Sequence, residues 1–248
     1  MLSTNFSVSL QIRKQTTLTV MKKTHFLVTA LCATLLCACE KEADYSTPID
    51  GDGNVYRTIQ IGAQTWMLGT LRTTTYNDGT PIAEDRTWDK AGTTPVYCHY
   101  NNDTRNNTYL LYNWAAVKTG KLAPKGWHVA TQNDWMNLTR TYGGWGQAGI
   151  ALKAIAGWEP CPNDSLGVQA TNESGLGLLP TGCRENYLDS IGSHHGEFHD
   201  AGYRGFWWTS TPATGAGGYM MRLSYDSNEL FGSSASADFG AAVLCVKD

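Results

Sequence analysis

The sequence predicts an α+β fold in which short antiparallel strands accompany two helices and a long irregular loop region. Three observations support this prediction. A segment rich in β-forming residues opens the domain near residue 55, two segments with helical spacing follow between residues 131 and 155, and strand-like segments return after residue 205. Nine Trp, twelve Tyr and 26 Gly also favour a loop-rich domain with an aromatic core over a helical bundle.

The first strands are predicted from alternation. Residues 55–61 alternate in polarity and are rich in β-forming side chains, and residues 64–67 follow a Gly-Ala turn as the hairpin partner. Residues 50–54 read Asp-Gly-Asp-Gly-Asn and resemble the start of an EF-hand loop. However, Ile61 stands at the twelfth position, where that loop needs a bidentate carboxylate. The sequence therefore predicts a turn at residues 50–54.

The clearest helix signal starts at Thr131. Its hydroxyl stands three residues before the carboxylate of Asp134, an arrangement related to the capping box. Trp135 and Leu138 then follow at helical spacing, and the Gly-Gly pair at residues 143–144 predicts the end of the helix.

A second helix is predicted over residues 147–155, where four small or apolar residues recur at i, i+3, i+4 and i+7. Residues 159–204 lack a periodic pattern and are interrupted by several Pro and Gly, which predicts a long loop. Strands are predicted again at residues 206–209, 219–224 and 241–246.

The N-terminal region is typical of an export signal. Two lysines follow Met21, and an apolar run of about 11 residues follows them, too short for a bilayer span of roughly 20 residues. The sequence Leu-Cys-Ala-Cys at residues 36–39 resembles the lipobox of bacterial lipoproteins, in which Cys39 would become the lipid-bearing first residue. Stable anchoring takes more than one acyl chain, and lipoprotein cysteines of this class usually carry several.

The export signal defines the expected organisation of the chain. We expect residues 1–38 to be an upstream lead and signal peptide with Met21 as the true start, residues 39–49 a lipidated tether, and residues 50–248 one domain. Loss of residues 1–38 removes four basic residues and leaves 15 basic and 22 acidic residues, a formal charge of −7. Such a surface repels phosphate backbones, so nucleic acid is not an expected partner.

Four cysteines remain beyond the anchor, and an exported chain with an even number of cysteines permits two disulfides with three alternative pairings. These disulfide candidates are Cys98, Cys161, Cys183 and Cys245. No Cys-x-x-Cys pair occurs among them, which argues against a redox centre or a zinc ribbon.

Several short motifs follow one another in a specific order. They include Tyr-Arg-Thr-Ile-Gln-Ile-Gly at 56–62, Gln-Thr-Trp-Met at 64–67, Tyr-Asn-Asp-Gly at 76–79, Leu-Tyr-Asn-Trp at 111–114, Pro-Lys-Gly-Trp-His-Val at 124–129, Leu-Pro-Thr-Gly at 179–182, Phe-Trp-Trp-Thr-Ser at 206–210 and Cys-Val-Lys-Asp at 245–248. The ordered set resembles the Fibrobacter succinogenes major paralogous domain, a family common in exported lipoproteins of Bacteroidetes and Fibrobacteres. The resemblance runs from about residue 50 to the C-terminus.

The resemblance implies a C-type-lectin-like fold and no established activity. One departure bears on the disulfides. The family usually has a cysteine before its Pro-x-Gly-Trp-His motif, whereas this chain has Ala123, which puts the family's usual pairing of Cys245 in doubt. Within that motif, His128 has no recognisable nucleophile with it, so we expect a structural histidine whose ring holds a turn.

The best metal-ligand candidates lie close together in the predicted loop: His194, His195, Glu197 and His199. Imidazole and carboxylate groups suit zinc or a similar ion. However, Gly196 interrupts any helical pattern and the His-Glu-x-x-His order of zinc proteases is absent. The sequence therefore favours a solvated loop, with no bound metal and no cofactor.

Three aromatic residues are candidates for ligand binding, because an aromatic ring can stack on the apolar face of a sugar. Trp145 and Trp158 stand near loop edges among Gly and polar residues, and Tyr187 stands in the long predicted loop. Calcium-dependent sugar binding is not expected. Cys161 replaces the Asn of the Glu-Pro-Asn triplet of calcium-dependent lectins, and their Trp-Asn-Asp signature is absent.

These observations predict a non-enzymatic, lipid-anchored module of the bacterial cell envelope, at the outer membrane, and leave open whether it faces the periplasm or the cell surface. Its expected partners are the membrane, through the lipid, and an extracellular glycan or protein bound by residues 159–204. A structural or assembly role at the cell surface or in an appendage is the alternative. An enzyme on a lectin-like fold is the third reading, although the formylglycine-generating oxidases need a cysteine pair near the C-terminus, where this chain has only Cys245.

Overall fold

A six-stranded sheet in the C-terminal part of the chain separates two apolar cores. The computed structural model describes residues 46–106, 108–161, 170–188 and 194–248. Within these residues the strands, numbered in chain order, are β1 (Thr58–Ile61), β2 (Gln64–Met67), β3 (Ala83–Glu84), β4 (Val96–Cys98), β5 (Leu111–Tyr112), β6 (Trp127–Val129), β7 (Thr181–Leu188), β8 (His194–Ala201), β9 (Arg204–Pro212), β10 (Gly218–Ser224), β11 (Phe231–Ala235), β12 (Ala242–Val243) and β13 (Cys245–Lys247). The helices are α1 (Trp114–Val117), α2 (Gln132–Thr141) and α3 (Ala148–Leu152), and a 3-10 turn covers Tyr100–Asn102.

The strands form three sheets. The six-stranded sheet has the order β11-β10-β9-β7-β8, and β12 pairs in parallel with β9. A second sheet has the order β1-β2-β13-β6, so the last strand of the chain lies between the N-terminal hairpin and the strand that precedes α2. A small third sheet contains β3, β4 and β5. This arrangement is an α+β fold in which strands predominate.

The two cores lie on opposite faces of the six-stranded sheet. Phe206 and Trp208 of β9 pack in the first core, whereas Trp207 packs in the second. Successive side chains of a strand point to opposite faces, so β9 contributes to both cores at once. Trp208 is held by a hydrogen bond of 2.8 Å from its Nε1 to the carbonyl of Tyr112. In the second core, Trp207 packs against Trp135 of α2 with ring centroids 6.0 Å apart.

The N-terminal hairpin is confirmed as β1 and β2, although β1 starts at Thr58 because Val55 instead pairs with Ile49 in an isolated bridge. Ile49 belongs to the predicted tether, so the last residues of that segment already contact the domain. The turn at residues 50–54 is also confirmed. The Asp50 carboxylate accepts hydrogen bonds from the backbone N–H groups of Asp52 (3.0 Å) and Asn54 (2.9 Å), which stabilises the turn from within.

Helix α2 is confirmed with its predicted cap. Thr131 Oγ1 accepts a hydrogen bond from the backbone N–H of Asp134 at 3.1 Å, and Asp134 Oδ2 accepts one from the backbone N–H of Thr131 at 2.8 Å. The two bonds make a reciprocal capping box. The helix ends before Gly143 and Gly144, both with a φ of 81°, the left-handed conformation that glycine adopts without steric cost.

The second helix is shorter than predicted. It covers Ala148–Leu152 rather than residues 147–155, because Lys153 has extended backbone angles and forms a bridge with Leu178. The Nζ of Lys153 donates a hydrogen bond of 2.6 Å to the carbonyl of Ser227. Ile155, the last residue of the predicted apolar stripe, is 76% exposed and does not belong to the core.

The long loop predicted over residues 159–204 is wrong for its second half. Strands β7 and β8 form an antiparallel hairpin there, with pairs from Thr181–Ala201 to Leu188–His194. Alternation failed to reveal this hairpin because its strands are mostly polar. Arg184 stabilises the β7–β8 hairpin through contacts with a segment that is distant in the sequence.

Arg184 is 2% exposed, and its guanidinium donates hydrogen bonds to three backbone carbonyls. The acceptors are Gly196 (3.2 Å) across the hairpin, and Asp85 (3.1 Å) and Arg86 (2.7 Å) in the segment after β3. The same guanidinium lies over the rings of Trp88 and Phe198, at 4.9 and 4.5 Å from their centroids. Hydrogen bonds and ring contacts together offset the cost of removing this charge from water.

We predict that Gly196→Ala destabilises the fold through this contact. A Cβ at residue 196 would lie 2.3 Å from the Cβ of Trp88 and 2.6 Å from the Nε of Arg184, so both side chains would have to move. We expect a loss of about 1–3 kcal/mol in the free energy of unfolding, measured by urea denaturation. Gly92→Ala is the matched control, since its Cβ would meet nothing within 4 Å. Equal midpoints for the two variants would contradict this account of the hairpin.

Candidate functional site

The larger of two described depressions is a groove of about 700 Å³ between α2 and the start of β11. We call it the Trp145 groove. Its lining residues come from the first turns of α2, from Trp145 and from the β10–β11 connection: Gln132, Asn133, Met136, Trp145, Glu229, Leu230, Phe231 and Gly232. Its volume lies within the range of about 300–1,000 Å³ that small-molecule sites occupy.

Local backbone contacts hold Trp145 in place. Its carbonyl accepts a hydrogen bond of 2.8 Å from the N–H of Leu230, and the carbonyl of Asn228 accepts one of 2.8 Å from the N–H of Gly149. The loop before α3 is therefore fastened to the loop before β11. The Trp145 ring is half-buried and packs against the second core, which leaves part of its surface facing the groove.

The chemistry of the Trp145 groove is mixed. Met136, Leu230 and Trp145 supply apolar surface, whereas the amides of Gln132 and Asn133 supply both hydrogen-bond donors and acceptors. Glu229 is the single ionisable residue in the lining. An aromatic surface beside neutral amides suits a ligand with one apolar face and several hydroxyl groups.

The second depression lies at the other face of the six-stranded sheet, since its residues Phe206 and Met220 belong to the first core. We call it the sheet-face pocket. It has a volume of about 340 Å³ and is lined by Glu185, Tyr187, His199, Asp200, Arg204, Phe206, Met220 and Arg222. Four neighbouring strands, β7 to β10, contribute these residues.

Several of these side chains contact one another. The Tyr187 hydroxyl donates a hydrogen bond of 2.9 Å to Glu185 Oε2, and this bond raises the pKa of Tyr187. The Tyr187 ring also packs edge-on against His199 with centroids 5.3 Å apart. Arg204 Nη1 forms an ion pair of 3.0 Å with Asp200, whose φ of 65° places it in the left-handed region.

The three predicted ligand-binding aromatics lie in three different places. Trp145 lines the groove and Tyr187 lines the sheet-face pocket, whereas Trp158 lines neither. Trp158 packs against the second core, its Nε1 donates a hydrogen bond of 3.1 Å to the carbonyl of Leu178, and the Nζ of Lys153 lies 5.3 Å from its ring centroid. The three residues therefore share no depression among the described residues.

The metal-ligand candidates lie on β8 rather than in a loop. His199 Nε2 is 3.9 Å from Glu197 Oε2, which is too long for a hydrogen bond. The backbones of His194 and His195 pair with Leu188 and Tyr187, and their side chains lie outside the described part. Among the side chains that are described, no group of three or more His, Cys, Asp or Glu residues is arranged to hold a metal ion.

Three of the four disulfide candidates are buried thiols that are not joined to one another: Cys98, Cys183 and Cys245. Burial raises the pKa of all three, to about 12 for Cys98, so these thiols stay protonated and unreactive near neutral pH. The two predicted disulfides are thus not confirmed. Cys161 is half-buried beside residues 162–169, which lie outside the described residues. Ala123 and Cys245 both belong to the first core.

His128 has a structural role, as the sequence predicted, and its partners are two carboxylates through which it joins α2 to the C-terminal residue. We call this contact the His128 clasp. Its Nε2 lies 3.0 Å from Asp134 Oδ2 and its Nδ1 lies 2.8 Å from Asp248 Oδ1. The Asp134 contact is the main reason that the pKa of His128 is raised. Partial burial by itself raises the pKa of Asp134, but hydrogen bonds from His128 and Thr131 outweigh it and lower that pKa to about 2.

Several lining residues escaped prediction. Arg204 and Arg222 reach the sheet-face pocket because β9 and β10 lie side by side, and Met136 reaches the groove because α2 faces the start of β11. Each stands alone in the sequence among residues with no shared motif. A helical wheel of α2 marks Met136 as an apolar residue beside the buried stripe, which is the one signal that points to it.

The described part thus forms an α+β domain in which strands predominate, and its largest sheet separates the core beneath the Trp145 groove from the core beneath the sheet-face pocket. The sequence profile of the Fibrobacter succinogenes major domain matches residues 59–247. The chain belongs to this family. No curated protein and no solved structure matches it. No helix among the described residues is long and apolar enough to cross a membrane.

We predict that His128→Asn lowers stability in a pH-dependent way. Because the pKa of His128 is raised in the folded state, its ion pairs contribute fully to the free energy of unfolding below about pH 6.5. This contribution is lost as the pH rises through the folded-state pKa. The lowered pKa of Asp134 means that its contribution is present above about pH 3.8 and is lost as the pH falls towards 2. The loss on substitution should therefore be largest near pH 5.

The expected loss near pH 5 is about 1 kcal/mol, because the ring is partly exposed and water screens its ion pairs. Urea denaturation at pH 5 and pH 8.5 measures it. His99→Asn serves as the control, since its ring contacts the carbonyl of Asn106 rather than a carboxylate. A loss that is equal at both pH values would refute the charged clasp.

Proposed function

We propose that this protein is a non-enzymatic binding module, anchored to the bacterial cell envelope by lipid at Cys39, and that its Trp145 groove binds an extracellular glycan. The observation that carries the proposal is the groove itself, where one partly exposed indole lies beside two side-chain amides. A sugar ring offers an apolar face to an indole and hydroxyl groups to amides, so the two surfaces complement each other.

The envelope location is proposed from the sequence. Residues 1–45, which include the signal, the lipid attachment site and most of the tether, lie outside the described residues. The described domain begins directly after them, and Pro48 and Ile49 already pair with it through Tyr56 and Val55. A short tether would therefore hold the domain close to the membrane, at the outer membrane surface.

The proposal also includes a C-type-lectin-like fold. The order of elements supports it: an N-terminal hairpin, two helices, a long polar segment and closing strands that return to the hairpin. Membership of the family supports it as well. Fold alone does not assign a ligand, so the glycan rests on the groove and not on the likeness to lectins.

An assembly role is the second candidate, and one observation favours it. Among the described strands, β11 pairs with β10 alone, so the outer edge of β11 presents backbone groups along the rim of the Trp145 groove. An exposed sheet edge can accept a strand from another chain. Co-purification of a stoichiometric envelope protein that is lost on Gly232→Pro would favour this role over glycan binding.

We predict that Trp145→Ala abolishes or strongly weakens glycan binding. A purified domain comprising residues 46–248 is tested on a glycan array, and each hit is titrated by isothermal calorimetry. Loss of the indole should weaken binding at least about tenfold, which corresponds to about 1.4 kcal/mol. Tyr203→Ser is the matched control, because Tyr203 is an exposed aromatic outside the groove lining. Hits whose affinity survives Trp145→Ala would disprove the groove as the site.

We predict that Cys39→Ser releases the protein from the membrane. Cells fed with radioactive palmitate should label the wild-type protein and leave the variant unlabelled, and fractionation should move the variant out of the membrane fraction. Cys98→Ser is a suitable control because this buried thiol lies within the domain and outside the signal. Unlabelled wild-type protein would contradict the lipid anchor.

A further inference from the structure

The sheet-face pocket has a charge arrangement that the proposed function does not use. Two guanidinium groups, of Arg204 and Arg222, and two carboxylates, of Glu185 and Asp200, line one depression of about 340 Å³. Their charges cancel, so the pocket as a whole is neutral. A neutral pocket that nevertheless carries four charges is not complementary to a simple anion or to a simple cation.

The four charged groups are not all paired with one another. Arg204 and Asp200 form an ion pair of 3.0 Å, so their charges compensate each other. The guanidinium of Arg222 lies over the ring of Phe231, 4.8 Å from its centroid, and no carboxylate among the described residues pairs with it. The pocket therefore presents one cation that is supported by a ring and has donors available for a ligand.

Glu185 is the complementary case. Its Oε2 accepts a hydrogen bond of 2.9 Å from the Tyr187 hydroxyl, and among the described side chains no cation forms an ion pair with it. A carboxylate has about four lone-pair positions, so one hydroxyl leaves most of its acceptor capacity available. The pocket thus holds one available positive group and one available negative group.

Two further features limit the size and polarity of the occupant. Phe206 and Met220 are buried and form an apolar floor, while Tyr187, which is 44% exposed, forms a wall. His199 adds a ring nitrogen, Nε2, that is shielded from solvent and has no hydrogen-bond partner within the described residues. The site is therefore built for a small molecule with an apolar part and several polar contacts.

From these contacts we infer that the sheet-face pocket binds a free α-amino acid with a medium-sized apolar side chain. The ligand carboxylate pairs with Arg222, its ammonium group pairs with Glu185, and its side chain lies on Phe206 and Met220. This site is distinct from the Trp145 groove, because the two depressions share no lining residue and pack against different cores. They meet at Phe231, which lines the groove and whose ring contacts Arg222.

The test uses the purified domain, residues 46–248, and L-leucine as the probe, with calorimetry as the readout. Two blocked analogues separate the contributions of the two charged groups. N-acetyl-L-leucine lacks the ammonium group and L-leucinamide lacks the carboxylate. We expect L-leucine to bind at least tenfold more tightly than either analogue.

Variants assign the contacts. Arg222→Gln and Glu185→Gln should each weaken L-leucine binding at least tenfold, whereas Trp145→Ala should leave it unchanged because Trp145 lies on the other side of the sheet. Circular dichroism establishes that each variant is folded. If a variant does not fold, the comparison of L-leucine with its blocked analogues on the wild-type protein still decides the question.

Three results would overturn the inference. The first is that neither L-leucine nor L-valine, L-isoleucine or L-methionine binds at ligand concentrations up to about 10 mM, which is tenfold above a dissociation constant of about 1 mM. The second is equal binding of N-acetyl-L-leucine and L-leucine, which would mean that the ammonium group is not recognised. The third is tighter binding of D-glucuronate than of L-leucine, which would identify the pocket as a site for acidic sugars.

Discussion

The buried guanidinium of Arg184 makes the contacts on which the position of the β7–β8 hairpin depends. The hairpin of β7 and β8 has few apolar residues of its own, so its position is set by the hydrogen bonds from Arg184 to the carbonyls of Asp85 and Arg86 and by its contact with Trp88. Breaking such a buried charge contact leaves an uncompensated charge, and this penalty exceeds the net contribution of the contact to stability. The close approach also explains the glycine at position 196, where a Cβ would meet both Trp88 and Arg184.

The contacts of Arg184 lie on one face of the β7–β8 hairpin, and the opposite face contributes to the sheet-face pocket. Arg184 and Phe198 face the segment after β3, while Cys183, Glu185 and Tyr187, which alternate with Arg184, face the opposite way. The packing of one face therefore determines where the charged groups of the other face stand. The sheet-face pocket depends on this arrangement, because Glu185 and Tyr187 in its lining lie on the face of the hairpin opposite to Arg184.

The six-stranded sheet also separates the two apolar cores from each other. Trp207 and Trp208 are adjacent in sequence yet pack in different cores, so each core supports one depression: the first core lies beneath the sheet-face pocket and the second beneath the Trp145 groove. The groove further depends on α2, whose N-terminus is fastened by the capping box and by the His128 clasp. Trp127, His128 and the C-terminal Cys-Val-Lys-Asp, which belong to the family's motifs, support the fold and line neither depression. Phe206 of the Phe-Trp-Trp-Thr-Ser motif is different, because it lines the sheet-face pocket.

Local signals were sufficient for some elements and insufficient for others. The β1–β2 hairpin and α2 were predictable because turn residues, a capping hydroxyl and an apolar period all lie within a few residues of each other. The β7–β8 hairpin was not, because its partners are about 98 residues away in the sequence, as the contact between Arg184 and Arg86 illustrates. The prediction of the second helix was wrong from Lys153 onwards for the same reason. Lys153 contacts the carbonyl of Ser227 and forms a bridge with Leu178, both of which are distant in the sequence.

The sequence by itself therefore determined the family, the net negative charge and the locally encoded elements, and it is the basis on which the export signal is predicted. The signals for these elements lie within short contiguous segments. It also identified Trp145, Trp158 and Tyr187 as candidate ligand-binding residues, but it did not determine their positions relative to one another. Only the tertiary structure separated them, and only it brought Arg204 and Arg222 to Tyr187, because strand pairing joins residues that are distant in the chain and alternation sends their neighbours to the opposite face.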